Sequence, residues 1–183
     1  MPLTNIRTML EKNLTDNAFL ILGVPEQFEQ DETQLSQRWK ELQTQMHPDR
    51  FVTQDAATQR LATQWSIRIN EAYQTIKDPV KRTTLLCELA GVSVGLETNT
   101  SMSPAFLMQQ MQWREALEEA KTPEQIHDIQ NTVNHERTLA LSSLSWLIDE
   151  KGDYTQAAQQ VRALVFMDRF ITSIYTKLDA LDL

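Results

Sequence analysis

An all-α chain is the fold class this sequence predicts, and three observations carry the prediction. Apolar residues recur at intervals of three and four over long stretches, the period of one helix face. No segment alternates apolar with polar residues as a half-buried strand would. Glycine is scarce, with 4 in 183 residues, and falls where helical patterns stop.

The elements follow in order. "NAFLILG" is a short apolar helix closed by Gly23, with Pro25 just beyond. Asp31 or Thr33 caps a helix whose face carries Leu35, Trp39, Leu42 and Met46, and which must stop before Pro48. A third helix sets Leu61, Trp65, Ile69, Ala72 and Ile76 on one stripe. Asp78 and Pro79 restart the chain as N-cap and first helical residue of a fourth, which presents Leu85, Leu86 and Leu89 and ends at Gly91. Residues 92–103, "VSVGLETNTSMS", lose all periodicity and form a linker. Beyond them a helix runs from about Pro104 to Ala120. A second has Thr122, Pro123 and Gln125 as a capping box and the stripe Ile126, Ile129, Val133, Ala140, Leu144 and Leu147, with Gly152 after its end. The last starts near Tyr154 and carries Leu164, Met167, Ile171, Ile174, Leu178 and Leu181. Short connections make neighbours antiparallel, so residues 104–183 form a three-helix bundle.

Charge and cysteine content narrow the function. With 17 Lys+Arg against 25 Asp+Glu the net charge is −8, opposite to the basic face with which nucleic-acid binders neutralise phosphates. No run approaches the roughly 20 apolar residues that span a bilayer, so no membrane role is expected. A single thiol, Cys87, and the absence of an export signal favour the cytoplasm. That thiol sits among Leu85, Leu86 and Leu89 as a small core hydrophobe. His127 and His135 fall off the apolar stripe of their helix and are read as solvated. No glycine-rich phosphate loop, metal-spaced cluster or paired carboxylates appear, so neither catalysis, metal nor cofactor is expected.

One tripeptide stands out. In "ELQTQMHPDRFVTQ" the helical pattern halts at His47-Pro48-Asp49. Proline stiffens the loop between two antiparallel helices, and Asp49 projects from it as an acceptor able to take a bidentate hydrogen bond from an arginine on a partner. The competing reading is structural: Pro48 ends one helix and Asp49 caps the next.

The surroundings of the tripeptide resemble the J domain, the module that stimulates ATP hydrolysis by DnaK-type chaperones. The likeness lies in "LSQRWKELQTQM" before it, Phe51 and "INEAYQTIKDPVKR" after it, and the short helix ending in "LGVP" ahead. It implies that His47, Pro48 and Asp49 engage the chaperone's ATPase and that Arg38, Lys40 and Arg50 add basic docking contacts. J domains usually carry a more strongly basic face on the preceding helix. Here Gln37, Glu41, Thr44 and Gln45 dilute it, so steering is weak and a specialised chaperone is the expected partner.

The helix "SPAFLMQQMQWREALEEA" has two apolar sides. Phe106, Trp113, Leu117 and Ala120 seat it on the bundle; Leu107, Met108 and Met111 lie opposite, among Glu115, Glu118 and Glu119. One stripe suffices for packing, so the second is either covered by another helix or left as an adaptable binding surface. Phe166 likewise points away from the Leu164–Leu178 stripe.

A J domain followed by "AFLMQQMQWREALEEA" and a closing "VRALVFMDRF" resembles the HscB family of iron–sulfur cluster assembly co-chaperones. The resemblance implies a J domain over 16–91 after an N-terminal extension of 1–15, the linker over 92–103, and a scaffold-binding bundle over 104–183. Its implied partners are an HscA-like chaperone and an IscU-like scaffold, the latter held by Leu107, Met108, Met111, Gln112, Glu115, Glu119 and Phe166. Gln112 stands where the family often has an acid. With one cysteine, the chain matches the bacterial form, which has no N-terminal zinc module. Two rivals stay open: a J protein delivering another client to a general DnaK-type chaperone, and a small enzyme using His47 as base and Asp49 as its orienter, which would need a pocket at the loop.

Overall fold

A computed structural model describes residues 13–95 and 102–181. The expected N-terminal extension therefore lies outside the described residues through position 12, and the expected linker does so from 96 to 101. All regular secondary structure among the described residues is helical, without a strand, in two compact units that divide between Arg82 and Thr83.

In the first unit, α1 (Ala18–Leu22) starts where the Asn17 side chain accepts the Leu20 N–H at 3.0 Å. It ends at Gly23, whose φ of 69° lets the Gly23 and Val24 amides donate back to the Leu20 and Phe19 carbonyls. Phe19, Ile21 and Leu22 are fully buried, each contributing roughly 1.5–3 kcal/mol by leaving water. Helix α2 (Glu32–Gln45) is capped by Asp31, which accepts from the Gln34 amide. Helix α3 (Ala56–Lys77) is capped by Asp55, which accepts from Ala57 and Thr58.

Gln43 and Ser66 exchange hydrogen bonds across α2 and α3, and Trp39 stacks on Tyr73 with ring centroids 4.6 Å apart. Position 43 faces 66 while the earlier 39 faces the later 73, so the two helices run antiparallel. The buried stripe of α3 is Ala62, Trp65, Ile69, Ala72 and Ile76. Leu61, expected on it, is exposed; the spacing three-four-three-four from Ala62 centres the seam about 60° away from position 61, which falls at its edge. Two arginines pin α1. Arg38 donates to the Leu22 carbonyl at its end, and Arg68 to the Leu14 and Asp16 carbonyls before its start.

Helix α4 (Pro79–Leu89) begins with Asp78 accepting the Val80 and Lys81 amides. Its buried positions are Thr83, Leu86 and Cys87, whereas Leu85 is half-buried and Leu89 exposed. The stripe drawn through the leucines is therefore rotated: the unit boundary falls inside this helix, and Leu86 and Cys87 belong with the second unit. There the Cys87 thiol donates to the Tyr154 carbonyl.

The second unit is a three-helix bundle. Ser103 caps α5 (Pro104–Glu119), and the capping box of Thr122 and Gln125 opens α6 (Pro123–Ser145). The helix runs on through one π turn (Trp146–Glu150), a wider coil that leaves the adjacent Leu147 and Ile148 both buried. After Gly152, at φ 63°, α7 (Tyr154–Leu181) returns. Phe106 meets Phe166, Trp113 meets Phe170, and Lys177 donates to the Leu117 carbonyl. These pairs advance together, so α5 and α7 are parallel. Helix α7 packs against both others and needs a wide apolar face. For that reason Phe170 is buried beside the half-buried Ile171, and Leu181, expected on the stripe, is exposed.

Candidate functional site

The loop after α2 is built on two apolar pegs, Met46 and Phe51, both buried. Between them Pro48 opens a single 3-10 turn (Pro48–Phe51), and His47 takes the extended backbone that a following proline requires, φ −61° and ψ 127°. The imidazole caps this turn: the Asp49 amide donates to His47 Nδ1 at 3.3 Å. Arg50 closes it, its amide donating to the His47 carbonyl and its guanidinium to the Thr44 carbonyl.

With both ends pegged and its donors used inward, the turn points the Asp49 side chain out. That side chain is 84 % exposed, and Oδ2 lies 3.6 Å from His47 Nδ1, beyond hydrogen-bonding distance. Asp49 thus caps no helix; Asp55 does that for α3. The three cations expected beside the loop differ in freedom. Lys40 and Arg50 are exposed, whereas Arg38 is half-buried and spends its guanidinium on Leu22 and, at 3.4 Å, on Glu41.

In the second unit the outward side of α5 carries Leu107 (44 % exposed), Met108 (63 %) and Met111 (71 %), with Gln112, Glu115 and Glu119 exposed among them. No helix of the described residues covers this stripe, so the two-sided pattern resolves as surface. Phe166 is half-buried, edge-on to Phe106 at 5.8 Å and stacked on Phe170 at 6.0 Å. The Arg114 guanidinium lies over its ring at 5.4 Å. Arg114 was not foreseen, although it follows Leu107 by seven residues and so shares its face. Helix α5 forms a crest with a cleft on each side. One, of about 630 Å³, is lined by Met108 and Gln112 together with Leu139 of α6; the other, of about 450 Å³, is lined by Arg114, Phe166 and Arg169.

The remaining candidates line neither cleft of the second unit. His127 and His135 are exposed on α6. Cys87 is buried, and burial first, then the neighbouring Glu88 charge, raises its thiol to about 11 despite the opposing Arg162.

Comparison with known proteins matches both units. Residues 17–85 fit the DnaJ domain family and residues 102–175 the family described as the HscB C-terminal oligomerisation domain. A protein named co-chaperone protein HscB homolog from Bordetella pertussis is 44% identical over 155 residues, covering 84% of this chain and 91% of its own. Its Burkholderia thailandensis counterpart is 42% identical over 173 residues, covering 93% and 98%. Among solved structures, chaperone HscB from Vibrio cholerae superposes with a TM-score of 0.76 at 34% identity, over 91% of this chain and 99% of that one. Human co-chaperone HscB, at 24% identity, shares the fold with a TM-score of 0.83 over 94% and 86%.

Proposed function

This chain belongs to the HscB family of J-domain co-chaperones, and from that premise we propose how its two surfaces divide the work. The His47-Pro48-Asp49 turn docks on the ATPase of a specialised, HscA-like chaperone of the DnaK type. Lys40 and Arg50 flank the contact, while Arg38 serves mainly to hold α1. The α5 crest with Phe166 holds an IscU-like iron–sulfur scaffold: Leu107, Met108 and Met111 supply apolar contact, and Glu115 and Glu119 select a basic rim. Gln112 contributes no charge. The protein catalyses nothing itself; it works in the bacterial cytoplasm by keeping the client at high effective concentration while the chaperone hydrolyses ATP.

The observation that supports this reading best is the outward carboxylate of Asp49, pre-set by Pro48 and left without an internal hydrogen bond. An arginine that reached it would gain a charge-assisted, two-point contact without disturbing the fold. An enzymatic role for His47 and Asp49 lacks such support, because their side chains are 56 % and 84 % exposed and open to water.

The test is single-turnover ATP hydrolysis by the chaperone with this protein alone, with the scaffold alone, and with both. Stimulation by the protein, increased further when the scaffold is added, is the expected result. If the rate stays at its basal value in the presence of saturating protein, the docking assignment fails.

A further inference from the structure

The smaller cleft beside the α5 crest holds three arginines that the scaffold patch does not use. Arg162, Phe166, Arg169 and Ser173 follow one another on α7 at intervals of four, three and four, so they share one face, and Arg114 of α5 stands across from them. Arg162 is only 8 % exposed. Its Nη1 donates to the Val94 carbonyl at 3.0 Å, but Nε is buried without a hydrogen-bond partner. None of the three guanidiniums takes part in an ion pair among the described residues. This is unusual in a chain of net charge −8. By contrast Asp168, the residue before Arg169, is paired with Arg137 of α6 at 2.6 Å. A guanidinium withdrawn from water without an anion is costly. Glu118 is the one carboxylate lining the cleft, against three cations.

We infer that this cleft receives a single carboxylate side chain, an aspartate or glutamate, from the protein docked on the α5 crest. Arg169 and Arg114 meet it at the mouth with planar forks suited to two-point binding of a carboxylate, and Arg162 supplies charge from below. The occupant belongs to the docked partner because the cleft is continuous with the patch: Phe166 is part of both, and Arg114 stands on the face of Leu107. An extended polyanion is disfavoured by Glu118 in the cleft wall and by Glu115 and Glu119 elsewhere on the same helix. The crest then reads charge in two directions, acids on one flank and arginines on the other, which fixes the orientation of the partner. The inference rests on the scaffold-binding reading above.

The test is calorimetric titration of the scaffold into the full chain at low and moderate salt. Arg169 is the residue to change, since it is exposed whereas Arg162 also tethers Val94. Arg169→Gln should weaken binding roughly tenfold, Arg169→Glu further, and both should flatten the salt dependence. Arg169→Lys should recover only part of the loss, because a point charge lacks the fork. Leu107→Ala serves as the reference for the patch. If Leu107→Ala weakens binding and Arg169→Glu does not, the cleft assignment is wrong and the patch stands. If the wild-type chain does not bind the scaffold, both are wrong.

Discussion

The amide of Asp49 donates to His47 Nδ1 at 3.3 Å while the carboxylate of the same residue stays 3.6 Å from that nitrogen. His47 therefore holds the backbone of Asp49 and leaves its side chain to solvent. The two residues have separable roles, one orienting and one contacting. Asp49→Ala and Asp49→Asn should both abolish stimulation of the chaperone's ATPase, since either removes the charge an arginine would grip. Their thermal unfolding should match wild type, the side chain being almost wholly exposed. His47→Ala should reduce stimulation less completely, by loosening the turn while sparing the carboxylate. Full activity in Asp49→Asn would show that charge is not what the chaperone reads.

The scaffold patch makes a graded prediction. Leu107→Ala, Met108→Ala and Met111→Ala should each weaken scaffold binding by roughly 1–3 kcal/mol and leave stability unchanged, because these side chains face water. Phe166→Ala should do both. Its ring packs on Phe106 and Phe170, so its loss also opens the aromatic cluster between α5 and α7. Calorimetry paired with urea unfolding separates the two effects. A Met111→Ala variant that is destabilised but binds normally would make that stripe core rather than surface.

These sites were legible in the sequence to different depths. Helix ends are the better-read part, because caps are local chemistry: Asp31, Asp78, Thr122 with Gln125, and the glycines at 23, 91 and 152 mark boundaries without tertiary help, whereas the caps Asn17, Asp55 and Ser103 went unread. The faces came through less evenly. A single stripe drawn at helical spacing cannot say which shoulder is buried when a helix packs against two neighbours. That is why Ala62 displaces Leu61, Cys87 and Thr83 displace Leu89, and Phe170 joins the α7 core. Exposure of Asp49 followed from proline geometry and the cost of burying a carboxylate. The engagement of Arg38 did not, because its partner is a backbone carbonyl sixteen residues back, invisible to any pattern within α2. The arginine cleft was illegible for the same reason: Arg114 and Arg162 are brought together only when α5 and α7 pack in parallel.

Cys87 gives the chain a pH-dependent term of known sign. Its thiol titrates near 11 in the fold against an ordinary 9.0. Below pH 9 both folded and unfolded chains hold the proton and stability is unaffected. Between pH 9 and 11 the unfolded chain releases it while the folded chain does not, so stability falls by roughly 2–3 kcal/mol as pH rises through this window and levels off above it. Tyrosines and lysines titrate nearby, so the measurement is a difference: wild type against Cys87→Ala in urea at pH 8, 9, 10 and 11. The variant should start less stable, having lost a buried side chain, and the gap should close with rising pH. A constant gap would mean the thiol ionises as readily inside as out. The native thiol should also resist alkylation at pH 8 and react once the chain is unfolded.

Gly91 ends α4 in a conformation that an L side chain resists, with φ at 77°. There its own amide donates to the Glu88 carbonyl and the Val92 amide to the Cys87 carbonyl, at 2.9 and 2.8 Å, which satisfies two carbonyls the helix leaves open. A Cβ at this position would meet no atom within 4 Å, so steric crowding by neighbours cannot be the obstacle. The cost of Gly91→Ala is then the intrinsic strain of a left-handed alanine, about 1–2 kcal/mol. Gly91→Asn should cost less than alanine, because a short polar side chain tolerates this region. Urea unfolding should show both as shifts in midpoint without a change in slope, in the order glycine, asparagine, alanine. Equal stability of alanine and glycine would mean that the helix end relaxes out of the left-handed turn, breaking the Val92–Cys87 hydrogen bond at no net cost.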